Sequence, residues 1–323
     1  MYLPLSFTIR RENTLAYKMK KITEILKDKC TFSVELVPPR NGSDTDIFKK
    51  LQILKETGVD FISVTKGAGG SLRGGTIPIS YFSQEKFGLN CIAHFTCREI
   101  VKERVENNLV DMNYFGIKNV LALRGDAPDM EKDYEWKDGY KYAHQLVRQI
   151  SNMNKGRYLA RNMDGDKEFV EGKKTDFCIG VAAHPEELSG HRVEYLKKKV
   201  EEGADFAITQ MIFDVDIFKS FLKELKEKGI DLPVIAGVWP LESKFKLSMA
   251  EEKFNASIPS KIKDVLLPIE DKEEFRKKGI ELTIELCKEL IEAGAAGIHL
   301  FLFLNVELAK EVFEGLKNGP DRM

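Results

Sequence analysis

Eight apolar, β-branched runs in this chain stop on or beside a side chain able to do chemistry. Seven of them carry Glu35, Thr65, His94, Asp126, His184, Gln210 and Asn305, and the seventh in order offers only Trp239. Glu35 lies in TFSVELVPP (31–39), just ahead of Pro38–Pro39. A carboxyl in apolar surroundings loses solvation, its pKa rises, and it can serve as a general acid near neutral pH. A buried glutamate paired with Arg40 or another base is the competing reading. Asp126 ends LRGD (123–126), where Gly125 lets backbone approach a ligand and the aspartate projects from the strand tip. By itself that tetrapeptide better suits an ordinary turn with a capping aspartate.

The remaining motifs are less specific. KGAGGSLRGG (66–75) lacks the GxxxxGK[ST] and GxGxxG spacings of phosphate loops and reads as a flexible active-site loop. His94 and His184 end the third and fifth runs, but no HxH or HExxH spacing supports a metal site, so hydrogen bonding to a ligand is the expectation. LKKKV (196–200) belongs to a helix with Val193, Leu196 and Val200 on its apolar side; its lysines form a solvated face or, alternatively, hold a pyrophosphate.

The elements that must position these residues follow from period and punctuation. Ser43 and Asp44 cap a helix through Lys55, with Ile47, Leu51 and Leu54 on one face and Gly58 ending it. Residues 98–115, 188–202 and 214–228 repeat the scheme before Gly116, Gly203 and Gly229. An irregular helical region follows at 241–267, then a long helix at 271–293 and a last one at 306–317. Strands alternating with helices predict parallel strands with crossovers. Ser63 with Thr65, Ile92 with His94, Arg124 with Asp126 and Ile208 with Gln210 share strand faces, which suits a closed (β/α)8 TIM barrel better than a doubly wound open sheet. The expectation is a single barrel domain over 1–323, with an N-terminal extension and helix over 1–29. The polar segment 155–176 reads as an inserted, solvated loop on the N-terminal face; its DGD lacks the other ligands of a calcium loop.

Composition narrows the class. Fifty Lys plus Arg against 51 Asp plus Glu leave a formal charge of −1, which gives no general attraction to nucleic acid or anionic membrane. No apolar run approaches the roughly 20 residues of a membrane span. The basic residues of MYLPLSFTIRRENTL follow its apolar ones, opposite to a secretory signal. Five scattered cysteines without a CxxC pair are simplest in a reducing cytoplasm.

From Phe32 to Asn305 the chain resembles the methylenetetrahydrofolate reductase family, in its bacterial single-domain form. The carriers are FSVELVPPR, FISVTKGAGG, IAHFTC, LALRGD, KYAHQLV, the PE after the fifth run, LKKKVEEGADFAITQMIFD and IAGVWP, specific in this order and spacing. The resemblance implies a barrel holding FAD, with FMN the less favoured flavin, that reduces 5,10-methylenetetrahydrofolate with NAD(P)H. It implies a ping-pong cycle in which NAD(P)H reduces the flavin and leaves, and folate takes the same face. Carried over, Glu35 is the general acid that protonates N10 as the 5-iminium cation forms. Asp126 stabilises that cation beside the flavin, and Gln210 holds folate and orients the nicotinamide. Thr65, Ala68, His94, Arg124, Gly125, Asp126, Tyr142, His184, Lys198 and Lys199 fall on or beside cofactor-contacting positions.

The chain also departs from the family's pattern. His184 replaces a tyrosine, Tyr195 an asparagine and Val306 an arginine that helps hold folate; the segment after the PE is short, leaving His191 as a substitute for a flavin-contacting histidine. Other readings are a folate-binding flavoprotein subunit fed by an electron-donor protein, and a flavin-free reductase. An unrelated aldolase or isomerase barrel using Glu35 and Lys66 lacks a glycine-rich phosphate loop after the last two strands. The resemblance is compatible with a homo-oligomer, for which the residues show no interface signature.

Overall fold

The computed structural model describes residues 19–317 apart from 41, 72, 99, 128–138, 187–190 and 303–304. Most of the N-terminal extension therefore lies outside the described residues, and its helix is α1 (Ile22–Asp28). Eight parallel strands close into a barrel: β1 (Thr31–Leu36), β2 (Phe61–Val64), β3 (Asn90–Thr96), β4 (Asn119–Leu123), β7 (Cys178–Ala183), β8 (Phe206–Met211), β9 (Val234–Val238) and β10 (Gly297–Phe301). Closure is made by β1 on β10, with Thr31 opposite Gly297 and Glu35 opposite Phe301. The open doubly wound sheet is thereby excluded.

Crossover helices follow the expected order, with shifted ends. α2 (Asp44–Thr57) ends at Gly58, whose left-handed φ of 77° lets the chain turn into β2. α3 (Thr76–Phe87) fills the β2–β3 connection, where the sequence pattern showed only a glycine-rich loop. α4 (Lys102–Tyr114) begins four residues after the expected start, because Arg98 forms a bridge to Gly139 instead. α5 (Ala143–Asn154), α6 (Arg192–Glu201) and α7 (Val215–Glu227) come next. The Asp214 carboxylate accepts from the Asp216 N–H to cap α7. α8 (Lys244–Glu252) and α9 (Ser260–Leu266) divide the irregular region, and α10 (Lys272–Glu292) is capped by Asp271 accepting from Glu273 and Glu274. α11 (Glu307–Lys317) closes the ring.

The 155–176 segment differs from a plain solvated loop. β5 (Arg157–Leu159) and β6 (Phe169–Glu171) pair antiparallel within it. The Leu159 N–H donates to the buried Glu106 carboxylate at 2.7 Å, tying the pair to α4. Backbone pairing and one anchored carboxylate organise a stretch whose polar composition carries no strand period.

Two apolar layers support the barrel. Between strands and helices lies the main core, including Leu51, Phe95, Leu109, Ile150, Phe218 and Leu290. Inside the barrel, Phe61, Ile92, Leu121, Cys178, Phe206, Ile208 and Ile235 stack into a plug joined by Ile22 and Ile25 of α1. Gly180 leaves room for the Phe206 ring, since a Cβ there would lie 2.4 Å from it. Asn90 and Asn119, at the starts of β3 and β4, accept from the Lys20 and Ile22 N–H groups and pin α1 beneath this plug. The N-terminal end of the barrel is thus filled, and polar side chains gather at the opposite end.

Candidate active site

A cavity of about 740 Å³ opens at the C-terminal ends of the strands. Its wall brings together Glu35, Thr65, His94, Arg124, Gly125 and Asp126 from the first four barrel strands and their loops. Tyr142, His184, Lys199 and Gln210 complete it from the other side. Residues placed on seven runs by sequence pattern therefore meet in one place, except Asn305. The Asn305 amide donates to Glu242 (3.2 Å), which pairs with Lys246, and this group sits outside the cavity wall.

Glu35 is half-buried, and burial pushes its carboxyl up to about 7, with the negative charge of Asp126 adding to the rise. The Arg40 pairing is not formed among the described residues, where no ion pair involves Glu35. Asp126 is exposed to the cavity, and its carboxylate accepts from the Gly69 N–H at 3.0 Å, which docks the glycine-rich turn on the loop after β4. Ala68 begins that turn, Ala68–Gly70. Gly125 has φ of 95°, and a Cβ there would press on Thr96 and Arg98 at 3.2–3.3 Å, so backbone alone fits between the two strand ends.

Three buried polar atoms of the wall lack a hydrogen-bond partner among the described residues: Thr65 Oγ1, His94 Nε2 and Glu186 Oε1. Buried polar groups are ordinarily satisfied, so an orphaned hydroxyl and imidazole facing one cavity point to a ligand with hydrogen-bonding edges. Burial pushes His94 down to about 3, so its ring is neutral at physiological pH. Tyr142 is exposed and stacks on His144, with ring centroids 5.6 Å apart. Lys199 reaches the rim and donates to the Ala182 carbonyl at 2.7 Å, whereas exposed Lys198, one residue earlier on the helix, lies outside the wall. Tyr195 lines the cavity; His191, 6.0 Å from it, precedes α6 and does not. Val306 is buried in the main core, so the position of the family's arginine is spent on packing.

Gln210 owes its place to an irregularity. Ile208 pairs with Ile235 but Met211 with Gly237, so β8 holds one extra residue there. Thr209 Oγ1 accepts from the Gly237 N–H at 2.8 Å, securing the bulge that re-aims the strand end.

Sequence reasoning left several wall residues without a role. His299, in the eighth run, is buried between Ser33 and Ser63 and faces the cavity. Its parity with Phe301 on β10 was the signal available. Glu186 accepts from the Ser257 N–H at 2.9 Å near Asn255, a non-glycine residue with positive φ (52°). Lys66, with a sequence-based role only in the aldolase or isomerase reading, sits 4.2 Å over the Phe95 ring, and burial lowers its amine to about 8. No group of three or more metal-binding side chains occurs among the described residues. Nor is any described helix long and apolar enough to cross a membrane.

Fold and site together define a (β/α)8-barrel protein with a carboxylate-bearing cavity at the C-terminal mouth, the place where such barrels keep their chemistry. The methylenetetrahydrofolate reductase family model matches residues 18–317. The chain belongs to that family. It is 33% identical over 302 residues to methylenetetrahydrofolate reductase 1 of Schizosaccharomyces pombe, covering 90% of this chain and 46% of the relative. A probable methylenetetrahydrofolate reductase (NADH) of Oryza sativa subsp. japonica is also 33% identical, over 90% of this chain and 48% of the relative. The chain thus spans about half the length of these relatives. A 5,10-methylenetetrahydrofolate reductase of Pectobacterium carotovorum subsp. carotovorum is 26% identical over 92% of this chain and 93% of its own. Among solved structures, an uncharacterized protein from Clostridium thermocellum that binds two copies of 5-methyl-5,6,7,8-tetrahydrofolic acid superposes with TM-score 0.56. It is 16% identical and covers 91% of this chain and 97% of its own, a likeness of fold.

Proposed function

We propose that this chain reduces 5,10-methylenetetrahydrofolate to 5-methyltetrahydrofolate with electrons from NAD(P)H, using a bound flavin. The observation that carries the proposal is the pairing, in one cavity, of a carboxyl raised to about 7 with an exposed carboxylate. Two carboxyls in contrasting surroundings divide the acid and charge-stabilising roles between them. Glu35, largely protonated just below neutrality, delivers its proton to N10 as the imidazolidine ring opens. Asp126, held by Gly69, keeps negative charge against the 5-iminium cation that results. Gln210, brought in by the β8 bulge, offers an amide to the pterin or the nicotinamide.

The wall fits a flavin. Thr65 Oγ1 and His94 Nε2 are free to bond its polar edges, the Arg124–Gly125 backbone admits close approach, and Tyr142 and Lys199 stand where a longer cofactor would extend. FAD, as the family resemblance implies, is the flavin proposed in preference to FMN. When bound, the flavin supplies the two-electron relay between NAD(P)H and folate, in a ping-pong cycle.

The test is the visible spectrum of the purified protein, followed by anaerobic titration with NADH or NADPH and then with methylenetetrahydrofolate. Bleaching by the nucleotide and recovery with folate is the expected result. A flavin that neither nucleotide reduces would point to an electron-donor protein. Folate turnover without flavin would mean direct transfer from the nucleotide. Neither flavin nor folate turnover would overturn the proposal.

A further inference from the structure

Directly beneath Glu35, the inward face of β1 carries Ser33, two residues down the strand and so roughly 6.6 Å away. Ser33 lies opposite His299 on β10, two pairs below Glu35 with Phe301 and on the same face. The His299 ring is held from both ends: Nδ1 is 2.8 Å from Ser33 Oγ, and Nε2 is 3.1 Å from Ser63 Oγ on β2. Three adjacent strands of the barrel are therefore joined through one imidazole at the cavity floor.

One consistent assignment gives the single Ser33 hydroxyl proton to the Ile298 carbonyl at 3.1 Å. Toward His299 this hydroxyl then only accepts, so Nδ1 carries the ring proton. The ring is almost fully buried, and burial, with His94 as a second and smaller influence, pushes it down to about 3. Neutral His299 then presents a lone pair at Nε2, which receives the Ser63 hydroxyl proton. The chain of donors runs Ser63 to His299 to Ser33 to the Ile298 carbonyl, with every proton accounted for.

We propose that His299 is a positioning residue for Glu35, wired by Ser33 and Ser63 as a neutral imidazole in one tautomer, so that the floor under the carboxyl is hydrogen-bonded but uncharged. An imidazolium in that place would favour the carboxylate and cost Glu35 its proton. The groups that also bear on the pair are Asp126, which acts on Glu35, and His94, which acts on His299. The inference rests on Glu35 being the acid of the proposed reaction, but the wiring can be read without substrate.

The experiment follows the full chain, labelled with 15N in histidine and 13C in glutamate carboxyls, by NMR across pH. Signals are assigned with His299→Gln and Glu35→Gln. The expected wild-type result is an Nδ1–H tautomer at His299 that stays neutral from about pH 5.5 to 9, with Glu35 titrating near 7. Gln at 299 offers both an N–H and a carbonyl, and should leave the Glu35 midpoint within a few tenths of a pH unit. His299→Lys should lower that midpoint by about one pH unit or more and shift the folate pH profile with it. Should the lysine variant not fold, Ser33→Ala removes the acceptor of the Nδ1 proton and should release the tautomer. An Nε2–H tautomer in the wild type, titration of His299 within the window, or one Glu35 midpoint across all variants would overturn the proposal. Loss of folate turnover with the wiring intact would instead count against the reductase reading alone.

Discussion

Glu35 on β1 and Asp126 beyond β4 line the same cavity, and the charge of Asp126 raises the proton affinity of Glu35 beyond what burial achieves. They share no hydrogen bond among those of the described residues. Their coupling is electrostatic, and it sets the protonation states that the proposed reaction needs.

Glu35→Gln should abolish folate reduction while leaving NAD(P)H oxidation with an artificial acceptor nearly intact. Stopped-flow measurement of the two half-reactions decides it. Equal loss of both would show that Glu35 is no folate-specific acid.

The folate half-reaction should slow as pH rises through about 7, because Glu35 then gives up its proton. Stability carries the same signature. A folded-state pKa above the ordinary value of 4.5 means that the group's favourable contribution is complete below that value and lost as pH rises through about 7. Urea unfolding at a series of pH values should therefore show Glu35→Gln gaining on the wild type between about pH 5 and 8, by roughly 3 kcal/mol. A pH-independent difference would mean that the carboxyl is better solvated than its surroundings indicate.

Asp126→Asn keeps an oxygen for the Gly69 N–H but removes the charge. The Glu35 midpoint should fall below that of the wild type, and the folate half-reaction should slow at pH 7. An unchanged midpoint in a carboxyl titration would refute the coupling.

Thr65→Val removes a buried hydroxyl that bonds nothing described in the protein through its oxygen. Thermal stability of the flavin-free chain should hold or rise, while flavin binds several-fold more weakly, on the order of 1 kcal/mol for one lost hydrogen bond. Fluorescence titration with FAD measures the second effect, and unchanged affinity would place the flavin elsewhere.

Gly180→Ala drives a methyl into the Phe206 ring. Overpacking of this kind costs about 1–3 kcal/mol, so the melting temperature should fall, as calorimetry can show.

The barrel was legible because its signals are local. Strand parity placed Thr65, His94 and Gln210 at the rim, and glycines marked where helices α2, α6 and α7 give way to strands. What escaped depends on contacts between distant segments. Nothing local in the seven residues of α1 says that they seal a barrel; that follows from Asn90 and Asn119 reaching down to its first turn. The β5–β6 pair is made by backbone, to which composition is blind. His299 gains its meaning from hydroxyls on two neighbouring strands. Lys198 and Lys199 could have been told apart: Leu196 is buried, and position 199, three residues on, shares its side of the helix while 198 does not.

The plug of Phe61, Ile92, Leu121 and Phe206, backed by α1, bears on traffic. A barrel stoppered at one end has a single doorway, so whatever reaches Glu35 must retreat by the route it took. Two reactants that both require that spot cannot queue from opposite sides. Taking turns is then a matter of architecture before it is one of kinetics.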